Sequence, residues 1–313
     1  MDKAVNKSLF FDKTIQSDCT IGRPPVKNLA ELIFKPLQHR SEEGEVVLGH
    51  DNMNFVRVSL ERFRFIHTRL YARFQEEKFT QGDTILLASV PGNNELFQAL
   101  LFSALASYGI RVLMPMFMET GVLDNWLITT RCKAVILPES DIAQLQRHQR
   151  EKNIVRQIRL KISEYNLPCY DSITSFGLRN LLTDDMWAYN GQDHALLESV
   201  LQHTHYDQEA LIITTSGSTG QSNLVVYKQI GFIRSCLSWQ KAGLLHKDVL
   251  GGRGFTPLFN HTMGIRTFYN ALWTGNPACL INTEWFEEHP EMAIPRIRAK
   301  KRVCIGFVNF FIV

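Results

Sequence analysis

LIITTSGSTGQSNLVVYK, running from Leu211 to Lys228, contains three segments. Leu211, Ile212 and Ile213, beside two β-branched threonines, form a short apolar run that suits a buried strand. From Thr214 to Gly220 there are only hydroxyl side chains and two glycines. Leu224, Val225, Val226 and Tyr227 then form a second β-prone run. The pattern predicts strand, small-residue loop, strand, closed as a hairpin.

The loop chemistry points to an anion. Gly217 and Gly220 tolerate positive φ and let a ligand approach the backbone. Thr214, Thr215, Ser216, Ser218 and Thr219 supply five hydroxyl donors. Successive N–H groups in such a turn make an anion-binding concavity. A polyphosphate suits it, although an ordinary Gly/Ser hairpin turn has the same composition. Two familiar phosphate loops are excluded. The P-loop pattern fails because Gly217 and Gly220 are three apart with no Lys following. The dinucleotide G-x-G-x-x-G pattern is absent.

Composition narrows the class. The 313 residues are 45% hydrophobic and 21% charged, which fits one large or two ordinary globular domains with a sizeable core. Net charge is +3, too balanced to argue for nucleic acid or an anionic membrane. The six cysteines show no C-x-x-C and no metal-site spacing, so free thiols are expected. No apolar run reaches membrane-spanning length and no signal-peptide core precedes residue 21, so cytoplasm is the expected location.

Along the chain, residues 1 to 25 read as a lead-in. Val26 to Gln38 predicts a short helix closed by Pro36. Short strands are expected at 45–48 and 54–58, then a helix from Ser59, as N-cap, to about Phe79. Thr84 to Val90 reads as a buried strand. Glu95 to Tyr108 reads as a largely buried helix ended by Gly109. Strand 110–114, helix 120–131 and strand 134–137 follow. This alternation predicts a parallel sheet covered on both faces. Asp141 to Tyr165 predicts a surface helix, or one broken near Lys152-Asn153; its basic cluster has no aromatic platform for nucleic acid. Residues 166 to 209 read as irregular, and His203 and His205 as surface residues, not a metal pair. Helices at 229–243, 265–273 and 287–300 and strands from 249, at 277–282 and at 302–307 resume the alternation.

The run Thr215, Ser216, Gly217, Ser218, Thr219, Gly220 after an apolar strand resembles the phosphate-loop signature of the adenylate-forming superfamily. That group includes acyl- and aryl-CoA ligases, luciferases and the adenylation domains of nonribosomal peptide synthetases. Its usual continuation after the second glycine is x-Pro-Lys-Gly. Here Ser222, Asn223 and Leu224 occupy those last three places. Loss of the Lys removes a cation that would face the phosphates, and Lys228 is the candidate substitute if the hairpin brings it back. The flanks are similar too. Gln81-Gly82-Asp83-Thr84 with Asn93-Asn94-Glu95, the segment Tyr108 to Pro115, the strand Lys133 to Leu137, Pro257 to Gly264 and Leu272 to Gly275 keep the family's order and spacing, from about residue 45 to 300.

The resemblance implies an α/β fold of layered αβα subdomains with mainly parallel sheets, forming an incomplete N-terminal domain over 1–313. Within it, 80–232 would be a first subdomain with the phosphate loop, and 1–79 plus 233–313 a partial second one. It implies ATP and Mg²⁺, a small carboxylic acid that attacks the α-phosphorus, and release of pyrophosphate. CoA or the phosphopantetheine of a carrier protein would then take the acyl group. His261 would line the acyl and nucleotide pocket, although a helix-start His reads the same way. The family's adenine-binding motif, ribose-binding Asp and mobile C-terminal domain are not found. The chain also stops within the apolar run 307–313, so a truncated chain is expected. The alternatives are a non-catalytic, nucleotide-binding remnant and an unrelated phosphotransferase, the latter lacking its Walker lysine.

Overall fold

The computed structural model describes residues 24–38, 40, 44–50, 55–90, 94–115, 118, 120–140, 149–184, 188–215, 223–241, 254–255, 259–275 and 277–280. The strands are β1 (Glu45–His50), β2 (Phe55–Ser59), β3 (Thr84–Leu87), β4 (Arg111–Leu113), β5 (Cys132–Leu137), β6 (Cys169–Asp171), β7 (Glu209–Thr215), β8 (Asn223–Lys228), β9 (Gly254–Phe255) and β10 (Ala278–Leu280). The helices are α1 (Leu29–Phe34), α2 (Leu60–Glu76), α3 (Glu95–Tyr108), α4 (Leu123–Thr130), α5 (Gln149–Glu164), α6 (Leu178–Thr183), α7 (Gly191–His203), α8 (Gln229–Lys241) and α9 (Thr262–Thr274).

Two sheets organise these elements. The larger has the order β6-β5-β3-β4-β7-β8 and is parallel except for the hairpin strand β8. The smaller has the order β2-β1-β10-β9, with β1, β10 and β9 parallel and β2 antiparallel. The pleat sorts side chains between two cores. Ile85, Leu87, Val112, Ile136, Leu211 and Ile213 face the core that holds α2 and α3. Leu86, Leu113, Val135, Leu137 and Ile212 face the core made with α4 and α5. Burial on both faces explains why β3 reads as a continuous apolar run.

Helix α3 lies between the sheets, in contact with β1 on one side and β4 and β7 on the other. All 14 of its residues are buried. Asn94 caps its start, accepting from the N–H groups of Leu96 and Phe97 at 2.9 and 3.4 Å. Gly109 ends it in the left-handed region at φ 98°. Gly49 on β1 allows the close approach, since a Cβ there would stand 3.0 Å from Leu96 Cβ and 3.0 Å from the Leu280 carbonyl.

Helix α2 starts on Ser59, whose hydroxyl accepts from Arg62 N–H at 3.1 Å. Its expected apolar stripe is buried, but a polar seam runs beside it. His67 Nδ1–H donates to the Phe63 carbonyl at 2.8 Å and Nε2 accepts from the Ser103 hydroxyl at 2.8 Å. One turn on, Tyr71 and Ser107 hydroxyls meet at 2.7 Å. Burial lowers the His67 pKa to about 3, so the ring is neutral, with the proton on Nδ1 because a carbonyl can only accept.

Several sequence expectations need correction. Helix α1 stops at Phe34, earlier than read, because residues before Pro36 are pushed to extended backbone. Helix α5 runs unbroken through Lys152 and Asn153, held by buried Val155, Ile158 and Ile162. Residues 166–209 are not irregular: they hold β6, α6, α7 and the start of β7. Helix α7 begins with a capping box between Asn190 and Asp193, and Asp193 also accepts from Arg69 on α2 at 2.9 Å. The helix at 287–300, the strand at 302–307 and the strand start at 249–250 lie outside the described residues. Cys132, Cys169 and Cys236 are free thiols, and burial pushes Cys132 up to about 11.

Candidate functional site at the carboxyl ends of the strands

Strand β7 enters the sheet beside β4, with Val112 paired to Leu211 and Leu113 to Ile212. It then pairs antiparallel with β8, from Glu209–Lys228 at the base to Thr215–Asn223 at the tip. The ladder therefore closes around residues 216–222. Ser216, Gly217, Ser218, Thr219 and Gly220 lie in that interval, outside the described residues. Thr214 and Thr215 are the last residues of β7, and Thr214 is half-buried. This tip emerges at the carboxyl end of β7, in line with the carboxyl ends of β3 and β4. In parallel α/β sheets that edge is where ligands bind, at points where connections leave in opposite directions. Strand β3 is such a point: the helix after it, α3, packs on one face, whereas α4 after β4 and α5 after β5 pack on the other.

The register gives the place of Lys228 on the hairpin. It is paired with Glu209 at the hairpin base, five residues from Asn223. At about 3.4 Å per residue that is roughly 17 Å along β8. Asn223, at the start of β8, has an exposed side chain.

His261 comes to the same edge by a different route. It is the N-cap of α9, and its Nδ1 accepts from Met263 N–H at 3.2 Å. That bond requires a lone pair on Nδ1, so a proton on the neutral ring sits on Nε2. Two residues earlier, Phe259 N–H donates to the Glu95 carboxylate at 2.8 Å. Glu95 is 7% exposed and is the first residue of α3, the helix that follows β3. This tie fastens the start of α9 to the carboxyl end of β3. Strands β3 and β7 are separated by β4, so their ends stand about 10 Å apart. The sequence reading missed Glu95, whose place after an N-cap reads as an ordinary acidic first turn.

Helix α9 itself has two characters. Gly264, Ile265 and Phe268 to Thr274 are buried. Thr262, Met263, Arg266 and Thr267 form a stripe open to solvent or half-open. His203 and His205 are exposed, and among the described residues no group of three or more His, Cys, Asp or Glu could hold a metal ion. Among the described residues no helix is long and apolar enough to cross a membrane.

No family model and no curated protein matches the sequence. Solved structures do match. An adenylation domain of a keto acid-selecting nonribosomal peptide synthetase module, bound to keto acyl adenylate, superposes with a TM-score of 0.59 at 13% identity over 85% of this chain and 43% of that one. The fatty acyl-adenylate ligase from L. pneumophila, in complex with acyl adenylate and pyrophosphate, gives 0.56 at 14% identity over 86% and 42%. A luciferase-like enzyme from the nonluminescent mealworm Zophobas morio gives 0.59 at 11% identity over 87% and 58%. The chain spans less than two thirds of the length of each of these structures. In fold, the chain is similar to the adenylate-forming enzymes.

Proposed function

We propose that this chain carries the part of an adenylate-forming enzyme that activates a small carboxylic acid with ATP, giving an acyl-adenylate and pyrophosphate. Transfer of the acyl group to CoA or to a carrier protein's phosphopantetheine thiol would follow. The observation that carries the reading is the β7–β8 register. It sets Thr214 and Thr215, where the hydroxyl-rich run starts, at the carboxyl end of β7 in a mainly parallel sheet, which supports a phosphate loop at that edge. Thr214, Thr215, Ser216, Ser218 and Thr219 would donate to polyphosphate oxygens, with Gly217 and Gly220 admitting the phosphates to the backbone. The donor set is hydroxyls and N–H groups, which suits a phosphate chain that brings its own Mg²⁺. When bound, that ion would neutralise charge on the departing pyrophosphate. The chain's own task is to hold acid and α-phosphorus in line and to exclude alternative geometries. His261, with Nδ1 committed to the helix cap, would face the acid with Nε2–H.

The two sheets support a division into 80–232, with the phosphate loop, and 1–79 plus 233–313. Helix α3 would belong to the first part and pack against the sheet of the second. The test is acid-dependent exchange of labelled pyrophosphate into ATP across a panel of small acids. Exchange is expected, and Gly217→Val should abolish it without loss of fold by circular dichroism. Undiminished exchange in that variant would remove the loop from the mechanism.

A second reading is favoured by Asn223. Lys228 pairs at the hairpin base and residues 223–227 of β8 carry no cation, which supports a nucleotide-binding remnant without turnover. Asn223→Lys separates the two. Nucleotide affinity that rises while exchange stays absent supports the remnant; strong exchange by the unaltered chain refutes it.

A further inference from the structure

We propose that Arg266 and Asn270 on α9 form a polar subsite for a second anionic group on the acid, so that the chain selects dicarboxylates over monocarboxylates. The inference rests on the adenylation reading, in which the start of α9 borders the acid. Met263, Arg266, Thr267 and Asn270 are spaced three and four residues apart and share one stripe of the helix. The stripe is exposed at Met263, half-buried at Arg266 and Thr267, and buried at Asn270, which is 4% exposed. Beyond the exposed Met263 it therefore passes into the interior through three polar side chains, Arg266, Thr267 and Asn270.

Two observations point to a ligand. Both polar atoms of the Asn270 side chain are buried without a hydrogen-bond partner. Most buried amides in folded proteins are satisfied, so this one calls for a visitor or a water. The Cα–Cβ bond of a helical residue tilts toward the N-terminus, so Asn270 leans toward the turn that carries Arg266. The Arg266 guanidinium, in turn, has neither an ion pair nor a side-chain hydrogen bond among the described residues, and α9 carries no acidic residue to neutralise it. Arg57, Arg69, Arg73 and Arg111 each pair with a carboxylate, and Arg131, Arg150, Arg156 and Arg234, which do not, are exposed, whereas Arg266 is half-buried. A carboxylate bound across the stripe would accept from the guanidinium and from the Asn270 amide together, a charge-assisted arrangement. An aliphatic tail would leave the amide unpaired and the cation solvated.

The test is calorimetric titration of the 313-residue chain with succinate and with butyrate, four-carbon acids that differ in the second carboxylate. Succinate should bind at least about tenfold more tightly, the scale of one charge-assisted hydrogen bond. Arg266→Gln should bring succinate to the butyrate level. Asn270→Leu, which removes the unpaired amide, should weaken succinate while leaving the chain folded. Equal affinities in the unaltered chain, no binding of either acid, or a preference that survives Arg266→Gln would overturn the proposal. The two readings separate cleanly. An Arg266-dependent preference without pyrophosphate exchange sinks adenylation and leaves the subsite. Exchange driven by monocarboxylates alone does the reverse.

Discussion

Helices α3 and α9 are built to one plan and used in two ways. Each starts on a side-chain cap, Asn94 or His261, and each ends on a glycine in the left-handed region. They touch through Phe102, whose ring lies edge-on to Phe259 and Tyr269. Helix α3 has every residue buried, and its interior hydroxyls are paired: Ser103 with His67, Ser107 with Tyr71. Helix α9 has one open stripe, and Tyr269 and Asn270 bury polar atoms without partners. A helix that serves only as scaffold can satisfy all its groups within the fold. If α9 borders the acid as proposed, some of its groups would be left for a partner that arrives from outside. Stability should therefore reside in α3, and ligand response in α9.

The largest expected effect tests the α3 half. Phe102 is fully buried between the two helices. Phe102→Ala should cost about 3–5 kcal/mol, the range for a large aromatic removed from a core that relaxes only partly. Met263→Ala on the open stripe should fall within about 0.5 kcal/mol. Urea unfolding of both variants checks this, and similar losses at the two sites would erase the contrast.

The α2–α3 seam gives the next effect, and its sign follows from His67. The folded imidazole stays neutral down to about pH 3, whereas in the unfolded chain it protonates near 6.5. Between those values the unfolded state binds the extra proton. Stability is thus fully present above pH 6.5 and falls as pH drops through the window, by about 1.4 kcal/mol per pH unit at most. The stability of His67→Gln, which keeps a donor and an acceptor, should depend less steeply on pH from 6 to 4. An unchanged slope would show that His67 is not the titrating group.

What could be read from residues alone follows from how local each signal is. The buried strand Thr84–Leu87, the helix Glu95–Tyr108 with Asn94 before it and Gly109 after it, and the hairpin at Leu211 all declare themselves within a few residues. Pattern and turn chemistry act over that range. Helix α7 was missed although Asn190 and Asp193 write a capping box, because its outer face is polar and only Asp193 and Val200 are buried. The candidate site divides the same way. The phosphate-loop expectation at Thr214 to Gly220 rests on consecutive residues, so the sequence alone can raise it. The pairing of Lys228 with Glu209 depends on strand register, which the sequence does not print. Glu95 was missed because its partner, Phe259, lies 164 residues away. The stripe of Arg266 and Asn270 is visible only once the rest of α9 is known to be buried.

Glu95 offers a smaller but sharper test, since it joins the two helices being compared. Removing the carboxylate leaves the Phe259 N–H buried and unpaired, which costs about 1–3 kcal/mol. Glu95→Ala should lose that much, and amide exchange at Phe259 should quicken while the interior of α3 stays protected. Equal quickening along α3 would mean that Glu95 supports its own helix and not the start of α9.

The smallest effect compares the caps. Asn94 is fully buried and accepts from two N–H groups, the shorter at 2.9 Å. His261 accepts from Met263 N–H at 3.2 Å in a half-exposed place, where solvent can replace that bond. Asn94→Ala should cost about 1–2 kcal/mol and His261→Ala about 0.5 kcal/mol or less, the two ends of the range for lost caps. Both can be read from unfolding midpoints at pH 7.5, where the His67 penalty is absent. If His261 matters to stability so little, loss of pyrophosphate exchange in His261→Ala would be assigned to the ring's Nε2–H at the acid and not to a frayed helix. Loss of exchange restored by His261→Asn, which can cap but cannot present that N–H in the same place, would return His261 to the role of a plain helix start.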